Sequence, residues 1–327
     1  MLDATPWFVG GGAQHSPEVA RLLAHVATQG AAGIVGVGDL RVSAQPTPNG
    51  QIRIAPGAVI IPNRYAGGGQ QSYSLRNSTQ TDVTVVPTGS GGGRTDLVIA
   101  RVLDPQYEGN PPADPVTFDY GRLQVLQGVP AGTKTVKELG LTYPAVALAR
   151  ISIPASTGTI TSGMITDLRR VANPRRERAM VTIFPTGNWR QKTAQQINTA
   201  SYSSWPITVD QRPTVYVPEW ATQLDIVAHL SGVIYRKGST AADTAAGIRT
   251  GFANTTPSQN GILVQDAEDS DNRYHYTVVG SHVVDATLRG TEQRINIQAY
   301  RSSGTGLWYG DYQTSVVIDW EFSEGAQ

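Results

Sequence analysis

The feature that most narrows the folds open to this chain is strict two-residue alternation near its C-terminus. In Val316-Val317-Ile318-Asp319-Trp320-Glu321-Phe322, one row carries Val316, Ile318, Trp320 and Phe322, and Asp319 and Glu321 fall on the other. Successive strand side chains point to opposite faces, so this pattern predicts a half-buried antiparallel strand. Arg294 to Ala299 repeats it with Ile295, Ile297 and Ala299 inward, and Leu224, Ile226, Ala228 and Leu230 form a third set. Ser302-Ser303-Gly304-Thr305-Gly306 reads as a hairpin loop between such strands. With no strong helix between them, residues 181–327 read as an antiparallel β-sandwich, jelly-roll-like.

The N-terminal half adds one helix. Ser16 is a good N-cap, Pro17 fits the first helical position, and Glu18 complements the positive end of the dipole. Val19, Leu22, Leu23 and Val26 share one apolar face, and Gly30 supplies the stop, so the helix is expected at about residues 17–29. Short strands and turns follow. Gln51 to Ala55 alternates, Leu97 to Leu103 reads as a buried strand, and Ala145 to Ile153 as another ended by Pro154. The fold class is therefore mainly β, with an N-terminal α+β module. Asp167 to Arg178 is Arg-dense and broken by Pro174. This divides the chain into a module at 1–172, an Arg-rich linker at 173–180 and the sandwich at 181–327.

Composition removes several function classes. Lys+Arg and Asp+Glu are both 26, so no net field draws nucleic acid or an anionic membrane. Arg169, Arg170, Arg175, Arg176 and Arg178 are interrupted by Glu177 and read as linker or subunit interface. The absence of cysteine excludes disulfides, thiolate metal sites and a Cys nucleophile. Met1 to Pro6 lacks a basic region followed by an apolar run, so no signal peptide is expected. No apolar run reaches the roughly 20 residues of a membrane span.

Enzyme signatures are missing too. Gly33, Gly36 and Gly38 fit neither a dinucleotide fingerprint nor a P-loop, and there is no G-x-S-x-G or H-E-x-x-H. The expectation is no enzyme activity, no cofactor and no metal. A glycosidase needs only two facing carboxylates and no motif, so a carbohydrate-active depolymerase stays open as an alternative. Asp266, Glu268, Asp269 and Asp271 lack the EF-hand glycine and distal Glu, and read as a solvated loop before a calcium site.

Aromatic residues gather late, in Leu307-Trp308-Tyr309-Gly310-Asp311-Tyr312. Exposed Trp and Tyr beside polar groups grip sugars or proteins, which makes Trp308, Tyr309, Asp311 and Tyr312 candidate host- or partner-binding residues. The competing reading is that Trp308 begins a strand and packs inward.

A resemblance adds to this chemistry. It is carried by Gly36-Val37-Gly38-Asp39-Leu40-Arg41-Val42, Ile54-Ala55-Pro56-Gly57-Ala58-Val59-Ile60, Arg94-Thr95-Asp96-Leu97-Val98-Ile99-Ala100-Arg101-Val102, Tyr143-Pro144-Ala145-Val146-Ala147-Leu148-Ala149-Arg150-Ile151 and Ile165-Thr166-Asp167-Leu168-Arg169. In this order, over about residues 10–175, they resemble the N-terminal module of phage minor tail and upper-baseplate proteins, most of all those of siphophages infecting actinobacteria. The resemblance implies a virion protein made in the host cytoplasm, often a homotrimer. Its N-terminal half would dock to other tail or baseplate proteins, and its C-terminal half would bind a host-surface glycan or protein. No catalytic residue carries over. No heptad stalk follows Arg178, so trimer contacts would rest on β surfaces. The alternative within this class is a purely structural adaptor holding another tail protein. From the residues alone, Arg94 and Asp96 read as an ion pair at a strand start, and Gly38 and Gly57 as backbone-geometry positions.

Overall fold

The alternating rows become sheets, and the structure is mainly β. The computed structural model describes residues 16–239, 243–253, 261–265 and 272–325. These form two units that divide in sequence between Pro174 and Arg175.

In unit 1, α1 (Pro17–Ala27) begins where the Val19 N–H donates to Ser16 Oγ, 3.3 Å away. The chain leaves it through Gly30, whose φ of +70° favours glycine. Ten strands follow: β1 (Gly33–Ile34), β2 (Val42–Ala44), β3 (Gln51–Ile54), β4 (Gly57–Pro62), β5 (Ser72–Asn77), β6 (Thr81–Thr84), β7 (Arg94–Val102), β8 (Gly121–Leu126), β9 (Ala145–Ile153) and β10 (Ile165–Asp167). They make three antiparallel sheets, ordered β1-β4-β5, β2-β3-β6 and β10-β9-β7-β8. Strand β7 is apolar on both faces because both are covered. Val98 and Ala100 join the main core, while Leu97 and Ile99 meet Val136 and Ala145 in a second cluster.

Three of the five motifs behind the tail-protein resemblance, those at 36–42, 54–60 and 165–169, converge on one polar node in unit 1. The Asp39 carboxylate accepts from the Gly36 and Ala58 N–H groups, each at 3.0 Å. Gly57 lies so close that a Cβ there would stand 2.5 Å from Asp39 Cα. Arg169, 5% exposed, donates to the carbonyls of Val37 and Asp39 and pairs with Asp167 at 2.7 Å. A second such pair forms where expected: Arg94 meets the fully buried Asp96 at 2.7 Å, and Asp96 also accepts from the Gly128 N–H. These motifs hold backbone in place.

The helix departs from the usual amphipathic arrangement. Leu22, Leu23 and Val26 are exposed, whereas Arg21 is buried and bonds Gln71, Asp104 and Gln106. Its guanidinium also lies 5.3 Å from the Tyr73 ring centroid. The polar face is held because Asp104, Gln71 and Gln106 converge on Arg21, which no apolar residue there would satisfy.

Unit 2 has β11 (Arg176–Ile183), β12 (Gln195–Gln196), β13 (Ser203–Ser204), β14 (Thr214–Tyr216), β15 (Gln223–Arg236), β16 (Thr244–Phe252), β17 (Gly261–Gln265), β18 (Asn272–Val283), β19 (Glu292–Ser303), β20 (Leu307–Gly310) and β21 (Ser315–Ser323). One sheet runs β11-β21-β15-β18, with β20 continuing the edge that β21 occupies on β15 and β12 beyond it. The other runs β17-β16-β19, with β14 and β13 sharing the outer edge of β19. Along the chain, β11 lies in the first sheet, β13 and β14 in the second, β15 in the first, β16 and β17 in the second, β18 in the first, β19 in the second, and β20 and β21 in the first. That repeated crossing is a jelly roll. The rows read from sequence fill its core: Leu224, Ile226, Ala228, Leu230, Ile295, Ile297, Ala299, Val316 and Ile318 are fully buried, and Phe322 nearly so.

Two expectations are corrected. The Arg-rich stretch at 173–180 is not simply a linker: from Arg176 it is strand β11, paired along β21. Arg176 meets Glu321 and Arg178 meets Asp319, so the arginines answer the acidic row of β21, while Arg175 pairs with the buried Glu324 at 2.7 Å. Pro174 and the density of charge hid the strand. The Ser302–Gly306 segment is not a hairpin loop, because β19 and β20 belong to different sheets. It is a crossing.

Arg169→Ala would remove the hydrogen bonds to the Val37 and Asp39 carbonyls and should cost unit 1 about 1–3 kcal/mol, whereas Leu23→Glu on the exposed helix face should change stability by under about 0.5 kcal/mol; urea melts of both variants check this. In unit 2, His282 is buried and bonds Thr250 Oγ1 at 2.9 Å, and burial pushes its imidazole below the ordinary value of 6.5. The unfolded chain then binds a proton more readily than the folded one, so stability should fall as pH drops below about 6.5. Urea midpoints across that window should show the slope, and His282→Gln should flatten it.

Candidate functional site

The alternation that fills the jelly-roll core leaves a second row on β19 and β16 facing away from it. On β19 this row is Arg294, Asn296, Gln298 and Tyr300, and on β16 it includes Gly247, Arg249 and Gly251. In register, Tyr300 opposes Gly247, Gln298 opposes Arg249 and Asn296 opposes Gly251. The glycines make room: a Cβ at Gly247 would stand 2.1 Å from Tyr300 Cε1. The result is a groove of about 740 Å³ floored by Arg249, Asn296 and Gln298, with Arg212, Arg294 and Glu292 along it. This lies within the range of small-ligand pockets.

Its polar groups are ordered in advance. Arg249 Nε donates to Gln298 Oε1 at 2.9 Å, and its guanidinium lies 3.7 Å from the Tyr202 ring centroid. Tyr202 in turn packs on Tyr300, with centroids 4.5 Å apart. Burial and the neighbouring Tyr300 raise the Tyr202 hydroxyl above its ordinary value of 10, so it stays protonated, and it has no hydrogen-bond partner among the described residues. Ser204 donates to Asn296 Oδ1 at 3.1 Å. Arg212 and Arg294 both donate to the Val209 carbonyl. Among the described residues none of the three arginines is paired with a carboxylate.

The residues singled out from sequence are brought together elsewhere, and three of the four face inward. Trp308 is fully buried, packs against Tyr235 at 5.0 Å and donates its indole N–H to Tyr276 Oη at 3.0 Å. Tyr309 is 6% exposed, beside Ala194 and Ile234. Asp311 is 1% exposed and accepts from both terminal nitrogens of Arg273, at 3.0 and 3.1 Å, and from the Gln313 N–H. Only Tyr312 is exposed. The reason is local. Gly232, at φ +76°, is an extra residue in β15 between Ser231 and Val233. Its carbonyl accepts from Arg273 and Thr314, which also hold Asp311. The segment is the turn that joins β20 to β21, pinned against the β15 bulge.

The groove's β19 row was visible as the polar partner of the Ile295, Ile297, Ala299 row. Its convergence with Arg249 and Tyr202 was not, because that depends on strand pairing across long sequence separations. Asp266, Glu268, Asp269 and Asp271 lie outside the described residues. Among the described residues no cluster of three metal-ligating side chains forms, and no helix is long and apolar enough to cross a membrane.

No family model matches the chain, and no curated protein matches it. A structure of the infectious bursal disease virus Gx strain aligns over 90% of this chain and 74% of that one, at 10% identity and a TM-score of 0.19. The mosquito-larvicidal Cry4Aa toxin from Bacillus thuringiensis aligns over 88% of this chain and 51% of that one, at 10% identity and a TM-score of 0.20. At TM-scores this low the likeness assigns neither fold nor function.

Trp308→Ala should cost unit 2 about 3–5 kcal/mol, since it empties a buried aromatic site and removes the indole's hydrogen bond to Tyr276. Tyr312→Ala should cost under about 0.5 kcal/mol. Denaturant midpoints of the two variants decide whether this segment is core or contact surface.

Proposed function

We propose that this chain is a non-enzymatic structural protein of a phage tail tip or baseplate, with unit 1 docking to other tail proteins and unit 2 binding the host surface. The observation that carries the binding half is the open groove on the β16–β19 face. Among the described residues it combines arginines without carboxylate partners and amide side chains, with a tyrosine pair bracing Arg249 from behind, none of which the jelly-roll core requires. The tail half of the reading rests on the ordered motifs from Gly36 to Arg169, three of which meet in unit 1 at one structural node. The protein works as a homo-oligomer, a trimer by the resemblance, with contacts made by β surfaces.

The adaptor reading has one observation in its favour. The exposed Leu22, Leu23 and Val26 on α1 form an apolar patch suited to a protein partner. It is compatible with docking by unit 1 and leaves the groove without a role, so it ranks second.

Fluorescently labelled full-length protein should bind cells of a susceptible actinobacterium saturably, and Arg294→Glu should abolish most of that binding while Leu23→Glu retains it. Capture of another virion component without any cell binding would favour the adaptor.

A further inference from the structure

We infer that the β16–β19 groove takes an acidic saccharide, a sugar chain bearing carboxylate or phosphate groups; this rests on the reading of unit 2 as a surface-binding domain. Charge points first to an anion. Arg212, Arg249 and Arg294 face a single Glu292, a local excess of two positive charges in a chain whose formal net charge is zero. Arg249 is anchored through Nε alone, which leaves its terminal nitrogens free for a bidentate acceptor. Arg212 and Arg294 are each tethered to the Val209 carbonyl by one nitrogen, so both forks are positioned with donors to spare.

The rest of the surface selects a sugar over other anions. The Tyr202–Tyr300 pair backs Arg249, whose guanidinium lies 3.7 Å from the Tyr202 ring centroid, and so holds the arginine's plane toward a ligand. Asn296 and Gln298 offer amide groups between the arginines, suited to ring hydroxyls. A lone anion would not span a groove of about 740 Å³. An acidic peptide would gain most from a free strand edge. The groove floor is β16 and β19, and β19 is paired on both sides, to β16 and to β13 and β14. Along β19 the floor therefore offers side chains and no free backbone edge.

The test is titration of the full-length protein with polygalacturonate, a glycerol-phosphate teichoic acid and neutral dextran, followed by calorimetry. The first two separate carboxylate from phosphate as the recognised group. Binding of either acidic polymer but not of dextran, weakened by added salt and weakened about tenfold or more in the Arg249→Gln, Arg294→Gln double variant, is the expected result. Both substitutions are at outward positions, and a single Arg212→Gln variant gives an independent check should the double variant fold poorly. Equal binding of dextran, no binding of either acidic polymer, or acidic-polymer binding unchanged in the folded variants would overturn the proposal. Cell binding separates the two levels: groove-dependent cell binding that acidic polymers do not compete away sinks only the ligand class, whereas absence of cell binding by the unaltered protein sinks the reading of unit 2.

Discussion

A single core shared by two sheets imposes one constraint on every strand of unit 2: alternate residues must be apolar and must face it. Ile295, Ile297 and Ala299 obey it on β19, as do Leu224 to Leu230 on β15. What the constraint leaves free is the opposite row. On β21 that row is acidic and is matched by arginines of β11. On β19 and β16 it is Arg, Asn, Gln and Tyr over glycines, with no carboxylate partner for the arginines among the described residues. That difference in charge pairing between the two outer rows is what motivates the proposal that the β16–β19 face binds.

Unit 1 depends on a different kind of contact. Its sheets are small, and segments distant in sequence are joined by buried polar groups. Arg169 reaches the carbonyls of Val37 and Asp39, and Asp39 reaches the Ala58 N–H. Each group would be costly to bury alone, so the node demands that all of its members be present together. That explains why the motifs carrying the tail-protein resemblance are Gly, Asp and Arg separated by apolar runs. They encode a scaffold, and any docking function must lie on other surfaces of the unit, such as the exposed apolar side of α1.

The fold was largely legible where periodicity was clean. The helix start at Ser16, the strands at 224–230, 295–299 and 316–322, and the jelly-roll class all follow from local pattern. Legibility failed where a pattern had two readings. Charge density hid β11, because alternating arginines look like a linker until their acidic partners on β21 are known. The aromatic run at 308–312 looked like a contact surface, yet a bulge at Gly232 and the Arg273–Asp311 pair turn most of it inward. The groove was half legible: one strand's polar row could be read, but Arg249 and Tyr202 join it only through pairing and stacking.

The most direct test of the groove as the working surface is an arginine footprint. Full-length protein is treated with phenylglyoxal, alone and bound to host cell envelopes, and modification is mapped by mass spectrometry. The account predicts that Arg212, Arg249 and Arg294 lose reactivity on binding while Arg176 and Arg178, on the acidic outer row of the other sheet, do not. Protection confined to arginines outside the groove, with those three still reactive in the bound state, would contradict it.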